Sequence, residues 1–354
     1  MVPIVGMTTV VVLLLAALVA PGARATTTIF NGRLTFMRQN YGGFWQVWTS
    51  NPDLSAGLRL TGGAVDSGWP VWSPDASRIA FDSDRSDPDL SDDTFINDVY
   101  SMRADGTDVI KLTDSVGFSG DAAYSPDGRL IAFDANRGVT SGDPWPSANP
   151  DLSIYVMNAA DGSGVRRITT AAAGTSDTEP RFSPDGSALV FSRFRGGMTQ
   201  KYKPRIVGDT SALFVVNLDG TGLRRITGWG TDVGQADWSP DGSRIVFENA
   251  CCSLGPANVY TVSPAGGALT DLTHGHGITG KGNDTSLQDD GFYDPVWSPD
   301  GTEVLLGHEF LSKDGSFQVG LAVIDADGTN LHWVASEVHD EHQPDWGTAL
   351  LRES

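Results

Sequence analysis

The sequence has very few cysteines, which limits how covalent cross-links can hold the fold together. Cys251 and Cys252 are the two cysteines among 354 residues, and they are adjacent. Their spacing does not match that of a metal site. In an oxidising compartment they are a candidate vicinal disulfide, although neighbouring Cα atoms lie closer than an ordinary disulfide prefers. Two free thiols or an intermolecular link are the alternatives.

Basic residues are also scarce. The chain has 24 Lys and Arg against 44 Asp and Glu, which gives a formal net charge of −20. A surface this acidic repels phosphate backbones and anionic lipid, so the composition argues against nucleic acid as a partner. The acidity keeps a secreted protein soluble, and it is equally compatible with a preference for cations or basic partners.

A hydrophobic run at the N-terminus has the features of a targeting segment. The run from Val10 to Ala20 is too short to span a bilayer comfortably, and Ala23-Arg24-Ala25 fits a small-x-small cleavage site. No Lys or Arg precedes the run, which departs from the usual pattern. We expect residues 1–25 to be a signal peptide, with a retained anchor as the alternative. Residues 26–354 then form one secreted or periplasmic domain without a transmembrane segment.

One short pattern, aromatic-Ser-Pro-Asp-Gly, recurs along the chain. The aromatic ends a strand, Ser opens a β-turn, Pro presets φ at the second turn position and Gly takes the fourth. An apolar run follows each copy at once, which predicts a β-hairpin. Repetition at this spacing indicates a repeat architecture. The copies are Trp72-Ser73-Pro74-Asp75, Tyr124 to Gly128, Phe182 to Gly186, Trp238 to Gly242, Trp297 to Gly301 and a truncated Pro344 to Gly347.

Two further strands complete each repeat. In the second repeat they are Val99 to Met102 and Val109 to Thr113, joined by an Asp-Gly turn. Four short antiparallel strands per repeat are typical of a propeller blade. The strand Gly32 to Phe36 has no inner strand before it, and Pro344 to Trp346 supplies one. We therefore predict an all-β, six-bladed propeller whose N- and C-terminal strands pair in one blade and close the ring.

The repeated block resembles the TolB-like propeller repeat, a relative of the tryptophan-aspartate repeats. The block carries Trp297-Ser298-Pro299-Asp300-Gly301 with an upstream Asp, a downstream Tyr-x-Met/Val, Asp-Gly and Leu/Ile-Thr. The resemblance covers roughly Ile29 to Gly347 and implies an extracytoplasmic binding propeller. TolB docks a lipoprotein through its propeller and carries a separate N-terminal α/β domain, which has no counterpart here. A role in the Tol complex is therefore not implied.

One face of the predicted propeller carries all the long insertions, including Ser192 to Ala212 and Gly307 to Val319. Insertions on one face of a repeat protein commonly mark its binding face. Carboxylates precede the inner strands there and should crowd the channel mouth, where a cation or a partner's cationic groups would relieve their repulsion. The alternative is that each carboxylate caps the turn into its strand. These candidate ligand-binding residues are Asp66, Asp121, Asp177, Glu179, Asp232, Asp294 and Asp340.

Three insertions carry other candidate ligand sites. Asp84, Asp87, Asp89, Asp92 and Asp93 have enough oxygens for Ca²⁺ but lack the spacing of an EF-hand loop, so a solvated acidic loop is the alternative. Trp145, between two prolines, suits stacking on a sugar or peptide, or packing under its own loop. Five basic residues suit an anionic group or pairing with acidic loops. They are Arg193, Arg195, Lys201, Lys203 and Arg205.

Histidines on the long-loop face support a second functional interpretation. His339 and His342 are a candidate set of divalent-metal ligands, as are His274 and His276, with unliganded surface histidines as the alternative. Oligogalacturonate lyases use a related propeller with a metal held by His and Gln. The chain has no nucleophile elbow, zinc-protease motif, phosphate loop or dinucleotide fingerprint.

The sequence therefore favours a monomeric, non-catalytic module that binds a protein or glycan of the cell envelope or extracellular space. A metal-dependent carbohydrate-active enzyme is the alternative, because propeller active sites draw residues from several blades. No cofactor is certain, and Ca²⁺ or another divalent cation is the candidate.

Overall fold

The computed structural model describes residues 31–39, 43–86, 97–114, 117–137, 152–172, 174–195, 211–249, 257–273, 291–311, 317–334 and 341–352, with the backbone alone at 198–200, 203–204, 310–311 and 317–318. None of these residues forms a helix with the length and apolar character that a membrane crossing requires. The predicted signal segment lies outside the described residues and stays a prediction.

The described residues form twenty-six strands. The first thirteen are β1 (Leu34–Gln39), β2 (Trp45–Ser50), β3 (Leu58–Arg59), β4 (Ser67–Trp72), β5 (Arg78–Ser83), β6 (Asp98–Arg103), β7 (Ile110–Lys111), β8 (Ser119–Tyr124), β9 (Leu130–Ala135), β10 (Ser153–Asn158), β11 (Arg166–Arg167), β12 (Thr175–Phe182) and β13 (Ala188–Arg195). The others are β14 (Met198–Gln200), β15 (Lys203–Pro204), β16 (Ser211–Asn217), β17 (Arg224–Arg225), β18 (Val233–Trp238), β19 (Ile245–Asn249), β20 (Val259–Val262), β21 (Thr270–Asp271), β22 (Gly291–Trp297), β23 (Glu303–Leu311), β24 (Phe317–Asp325), β25 (His332–Trp333) and β26 (Glu341–Trp346).

Six four-stranded antiparallel sheets form the blades of a propeller. Blade 1 has the order β26-β1-β2-β3, blade 2 β4-β5-β6-β7, blade 3 β8-β9-β10-β11, blade 4 β12-β13-β16-β17, blade 5 β18-β19-β20-β21 and blade 6 β22-β23-β24-β25. Because β26 pairs with β1, the two ends of the chain share blade 1 and close the ring. The prediction of a six-bladed propeller closed in this way is confirmed.

Short-range hydrogen bonds explain why each repeat folds into a hairpin. In blade 5 the hydroxyl of Ser239 donates to Asp241 at 2.6 Å and accepts from the amide of Arg244 at 3.0 Å. The same pair of bonds forms in the turns that begin at Ser73, Ser125, Ser183 and Ser298.

The Leu/Ile-Thr pattern of the fourth strand has an equally local cause. The hydroxyl of Thr113 accepts from the amide of Val99, the second residue of the third strand, at 2.9 Å. This bond satisfies a buried donor at the outer edge of the blade, where it would otherwise cost free energy. The equivalent threonines are Thr61, Thr169, Thr227 and Thr273, at 2.9 to 3.0 Å.

The hydrophobic core lies between neighbouring blades. Six apolar clusters fill the six interfaces, and that between blades 2 and 3 joins Val71 and Val99 to Ile131 and Phe133. Within four blades an aromatic of the second strand stacks on one of the third, as Phe81 does on Tyr100 at 5.7 Å. Each blade therefore buries both of its faces only within the closed ring.

Two predicted insertions are shorter than the sequence suggested. The stretch Gly307 to Val319 was predicted as a loop, but β23 and β24 extend through most of it and pair from Glu303 to Leu311. Likewise β13 continues to Arg195 before the β14-β15 hairpin. Cross-strand pairing with the inner strands β22 and β12 holds these extensions in the sheet, which local composition did not indicate.

Candidate functional site

Each inner strand carries one residue with a left-handed backbone near its middle. At these positions the pairing with the second strand shifts register, as expected of a β-bulge, and φ lies between 43° and 56°. Such a φ is unfavourable for residues other than glycine and recurs at functional sites. We call these six residues the bulge ring: Gln343, Trp69, Asp121, Glu179, Gln235 and Asp294, in blades 1 to 6.

Carboxylates of the preceding blade bind the amides that the bulges release from the ladder. Asp82 on β5 accepts from the amide of Asp121 at 2.8 Å, and Glu248 on β19 accepts from the amide of Asp294 at 2.7 Å. Ring members do the same for the next blade: Glu179 accepts from Gln235 at 2.9 Å, and Asp294 accepts from Gln343 at 3.1 Å. These acids therefore tie one blade to the next.

Small residues in the inner strand make room for these ties. A Cβ added at Gly120, just before the bulge of blade 3, would lie 2.6 Å from Asp82 Oδ2. Any side chain at this position would therefore displace the carboxylate that bonds to Asp121.

A second set of inner-strand residues lies two positions after each ring member. Here Asp237 accepts from the amide of Trp297 in blade 6 at 2.9 Å, and Asp345 accepts from the amide of Trp72 in blade 2 at 2.8 Å. These bonds also cross from one blade to the next. The remaining members are Val71, Ala123, Arg181 and Val296.

Arg181 is the cation of this second set. Its side chain is half-buried, lines the channel, and donates to the carbonyl of Pro180 at 3.2 Å. The guanidinium attracts the surrounding carboxylates and lowers the pKa of each relative to what burial alone would give. The channel thus supplies a counter-charge to its own acids.

Burial nevertheless raises the pKa of the channel acids. The pKa of Asp121 rises to about 6, that of Glu179 to about 7 and that of Asp237 to about 6. The pKa values of Asp294 and Asp345 rise for the same reason. Carboxyl groups with such values exchange protons near neutral pH, so the charge of the channel depends on pH.

A cavity occupies the channel between blades 1, 2, 4, 5 and 6. It combines an indole, a guanidinium, two amides and two carboxyl groups with proline rings, the mixture that a ligand with apolar and polar parts requires. Its lining is Trp69, Pro70, Arg181, Gln235, Ala236, Asp237, Asp294, Pro295, Val296, Gln343 and Pro344.

Five of the carboxylates predicted to crowd the channel mouth divide into two groups. Asp121, Glu179 and Asp294 belong to the bulge ring. Asp66 precedes β4, where its carboxylate accepts from the amide of Trp45 at 2.8 Å. Asp232 precedes β18 and accepts from Ser211 at 3.3 Å.

Asp177 has a different environment from the other predicted acids. It is fully buried on β12 and forms a two-pronged ion pair with Arg193, with the Nη2 to Oδ2 distance at 2.8 Å. Arg193 was predicted in a basic cluster that would bind an anionic group or pair with acidic loops, and it pairs with the carboxylate of Asp177. Its neighbour Arg195 stacks over the Trp229 ring at 3.5 Å.

Several predicted site residues lie outside the described residues and stay predictions. They are Trp145, Asp340, His339, His274, His276, Cys251, Cys252 and the acidic loop after Asp84. Asp84 itself accepts from the amide of Asp66 at 2.9 Å. Within the described ranges, no three His, Cys, Asp or Glu residues converge as metal ligands would.

The described histidines near the long-loop face pack against aromatic rings. His342, a candidate metal ligand, lies on β26 with its ring edge-on to Trp45 at 5.0 Å. His308, which lies in the predicted insertion Gly307 to Val319, is instead buried on β23 between Phe292 and Trp333. Burial lowers the pKa of His308 to about 4, so its imidazole is neutral.

Sequence reasoning missed Trp69, Arg181, Gln235 and Gln343. A signal was available, because proline follows the bulge at Pro70, Pro180, Pro295 and Pro344. Proline cannot donate to a ladder and marks bulges in strands. The residue before each of these prolines would have located four of the six ring members.

Comparisons with known proteins agree on the fold. No family model matches the chain. An uncharacterised protein of Agrobacterium fabrum is 30% identical over 55% of this chain and 59% of its own length. A TolB homolog of Chlorobium luteolum is 29% identical over 49% of this chain and 32% of its own length. The chain thus spans about a third to three-fifths of these two relatives.

Solved structures extend the likeness to nearly the whole chain. TolB from Acinetobacter baumannii matches 91% of this chain and 68% of its own, with a TM-score of 0.63 and 20% identity. An oligogalacturonate lyase in complex with manganese matches 86% of this chain and 74% of its own, with a TM-score of 0.51 and 15% identity. At these identities the likeness establishes the shared fold.

Proposed function

Because the chain is a TolB-like β-propeller, we propose that it is an extracytoplasmic binding module without catalytic activity. It docks a protein segment or a glycan of the cell envelope across the long-loop face, over the channel mouth. The TolB-like resemblance and the predicted signal segment both support a location outside the cytoplasm.

The observation that carries this proposal is the diversity of the bulge ring. Six structurally equivalent positions share one unusual backbone conformation, yet they hold an indole, two amides and three carboxyl groups. Repeat positions with a purely structural role keep the same kind of residue from blade to blade, as the Ser-Pro-Asp-Gly turns do. Different side chains at equivalent positions create an asymmetric surface, which recognition of one particular ligand needs.

The chemistry of the channel narrows the ligand class. Trp69 offers a flat apolar face, and Gln235 and Gln343 offer amide groups beside it. Such surfaces suit peptide groups or sugar hydroxyls, which need both stacking and hydrogen bonds. The acids make a cationic or neutral segment a better occupant than a strongly anionic one.

The first test is native mass spectrometry of the protein purified without chelators from its own envelope or secreted fraction. We expect a co-purifying protein or glycan, and no bound metal ion. A metal-bound protein with no partner would contradict the binding-module proposal.

A matched pair of variants then locates the docking surface. Trp69→Ala removes the indole at the channel, whereas Arg129→Ala removes a basic side chain at a Ser-Pro-Asp-Gly turn on the opposite face. We expect the first variant to release the partner and the second to retain it. Retention by both variants, or loss only from the second, would place docking elsewhere.

The manganese-bound lyase of the same fold favours one alternative, a metal-dependent carbohydrate-active enzyme. In that case His342, together with His339, would hold the divalent cation. His342→Ala would then abolish metal retention and any cleavage of acidic oligosaccharides. Under the binding-module proposal the same variant leaves partner binding nearly intact.

A further inference from the structure

Asp134, on the second strand of blade 3, is a buried acid without a donor. Its side chain is fully shielded from solvent, and neither carboxylate oxygen has a hydrogen-bond partner among the residues that the structure describes. A buried carboxylate without donors is far less stable than the neutral acid. The surroundings of Asp134 therefore decide its protonation state.

Acids of three blades surround Asp134. Asp82 of blade 2, Asp121 of blade 3 and Glu179 of blade 4 all repel a negative charge on it. Asp98 on β6 adds to the negative field at Asp82, and Arg181 on β12 attracts Asp82 and Asp121. Asp134 pairs with Gly120 on β8, so the next residue, Asp121, lies beside it, and the side chains of the two acids interact.

The equivalent positions of other blades show what is different here. Asp82 in blade 2 and Glu248 in blade 5 each accept an amide hydrogen from the bulge residue of the next blade. Asp134 pairs with Gly120 in the same register as Asp82 with Gly68, yet it accepts no such bond. Two carboxyl groups in contact can form a hydrogen bond only if one of them holds a proton.

We propose that Asp134 and Asp121 share one proton in the folded protein, and that this carboxyl pair makes the packing between blades 2, 3 and 4 sensitive to pH. Asp82 is bound to the amide of Asp121, so the pair extends into blade 2, and Glu179 extends it into blade 4. Loss of the proton leaves an unpaired charge among three acids and weakens both blade interfaces.

The pKa shifts agree with this geometry. Burial, followed by the charge of Asp121, raises the pKa of Asp134 well above its usual range, and burial raises that of Asp121 to about 6. Folding therefore takes up a proton wherever the pH lies above the unfolded pKa, about 4, and below the folded value. The stability due to the pair is full below pH about 4 and is lost as pH rises through the folded pKa.

Urea unfolding of the full chain at several pH values between about 5 and 8 tests the proposal. Asp134→Asn replaces the neutral acid with a neutral isostere of the same size, so its unfolding midpoint should fall less with pH than that of the wild type. At the upper end of the range it should equal or exceed the wild-type midpoint. Asp177→Asn is the matched control, because Asp177 is equally buried but paired with Arg193, and its midpoint should be well below wild type throughout.

Infrared spectroscopy of the wild-type protein provides a readout that needs no variant. A protonated carboxyl band should persist at neutral pH and disappear on deprotonation. No such band at neutral pH, or parallel pH profiles for wild type and Asp134→Asn, would overturn the proposal. An Asp134→Asn midpoint as low as that of Asp177→Asn across the range would also overturn it.

Discussion

The short turns and the bulge ring of the propeller are built in opposite ways. At the short-turn end, five turns repeat one set of hydrogen bonds, and four of them have glycine at the last turn position with φ between 70° and 73°. In the middle of the inner strands, the bulge ring repeats the backbone conformation but changes the side chain in nearly every blade.

The turn residues form the fold, whereas the bulge-ring residues differ between blades and make the surface specific to this protein. A turn such as that of blade 5 closes within six residues, from Ser239 to Arg244, through hydrogen bonds of its own residues. The ties of the bulge ring cross between blades and differ in donor, acceptor and charge. We expect substitutions at the long-loop end to have large and unequal effects, and those at the turns to have small and equal ones.

The largest effect is expected from breaking the buried ion pair at the long-loop end. Asp177→Asn leaves Arg193, which is 11% exposed, without its partner, and should lower the free energy of unfolding by about 3 to 5 kcal/mol. Urea unfolding measures the loss. The double variant Asp177→Asn with Arg193→Met is the control and should recover part of it. A loss below about 1 kcal/mol from the single variant would contradict the account.

Cutting one tie between blades should have the next largest effect. Asp237→Ala leaves the amide of the buried residue Trp297 without its acceptor. This should lower the free energy of unfolding by about 1 to 3 kcal/mol. Thermal unfolding of this variant and of Asp345→Ala, which frees the amide of Trp72, compares two ties of the same kind. If neither variant melts below the wild type, the carboxylates do not hold the blades together.

Smaller and uniform losses are expected at the turns. Ser239→Ala removes the acceptor of the Arg244 amide and the donor to Asp241, at a cost of about 1 kcal/mol. Ser298→Ala is the matched variant in blade 6, with the same two bonds. Chemical unfolding should give the two variants the same stability within error, and a clear difference between them would break the equivalence of the turns.

The smallest effect concerns one departure from the repeat. Ala76 occupies the turn position held elsewhere by glycine and has φ of 56°. Ala76→Gly should stabilise the protein by about 0.5 to 1 kcal/mol, because glycine adopts this conformation without a steric penalty. Gly128→Ala, at φ of 70°, should destabilise it by a similar amount. Melting temperatures that shift in the same direction would refute this explanation.

The fold was predictable because its signals are local. Ser, Pro, Asp and Gly act on their own turn, and Thr113 acts on the adjacent strand 14 residues away. The pairing of β26 with β1 was also predictable, since the repeat lacked one inner strand. These patterns are visible in sequence without knowledge of which blades touch.

The candidate site was only partly predictable because its contacts join distant residues. Asp121 meets Asp82 across 39 residues, and Asp237 meets Trp297 across 60. The excess of carboxylates before the inner strands was visible, but its division between ties, an ion pair and a proton-sharing pair was not. Arg181 was missed because nothing in its own repeat marks it as the counter-charge of the channel.

Hydrogen–deuterium exchange of the full chain, alone and with the ligand that co-purifies from the native envelope or secreted fraction, tests the proposed function most directly. We expect slower exchange on binding in the connections 60–66 and 226–232 at the long-loop end. The turns at 73–77 and 125–129 should remain unchanged. Protection confined to those turns, or no change at either end, would contradict docking over the channel mouth.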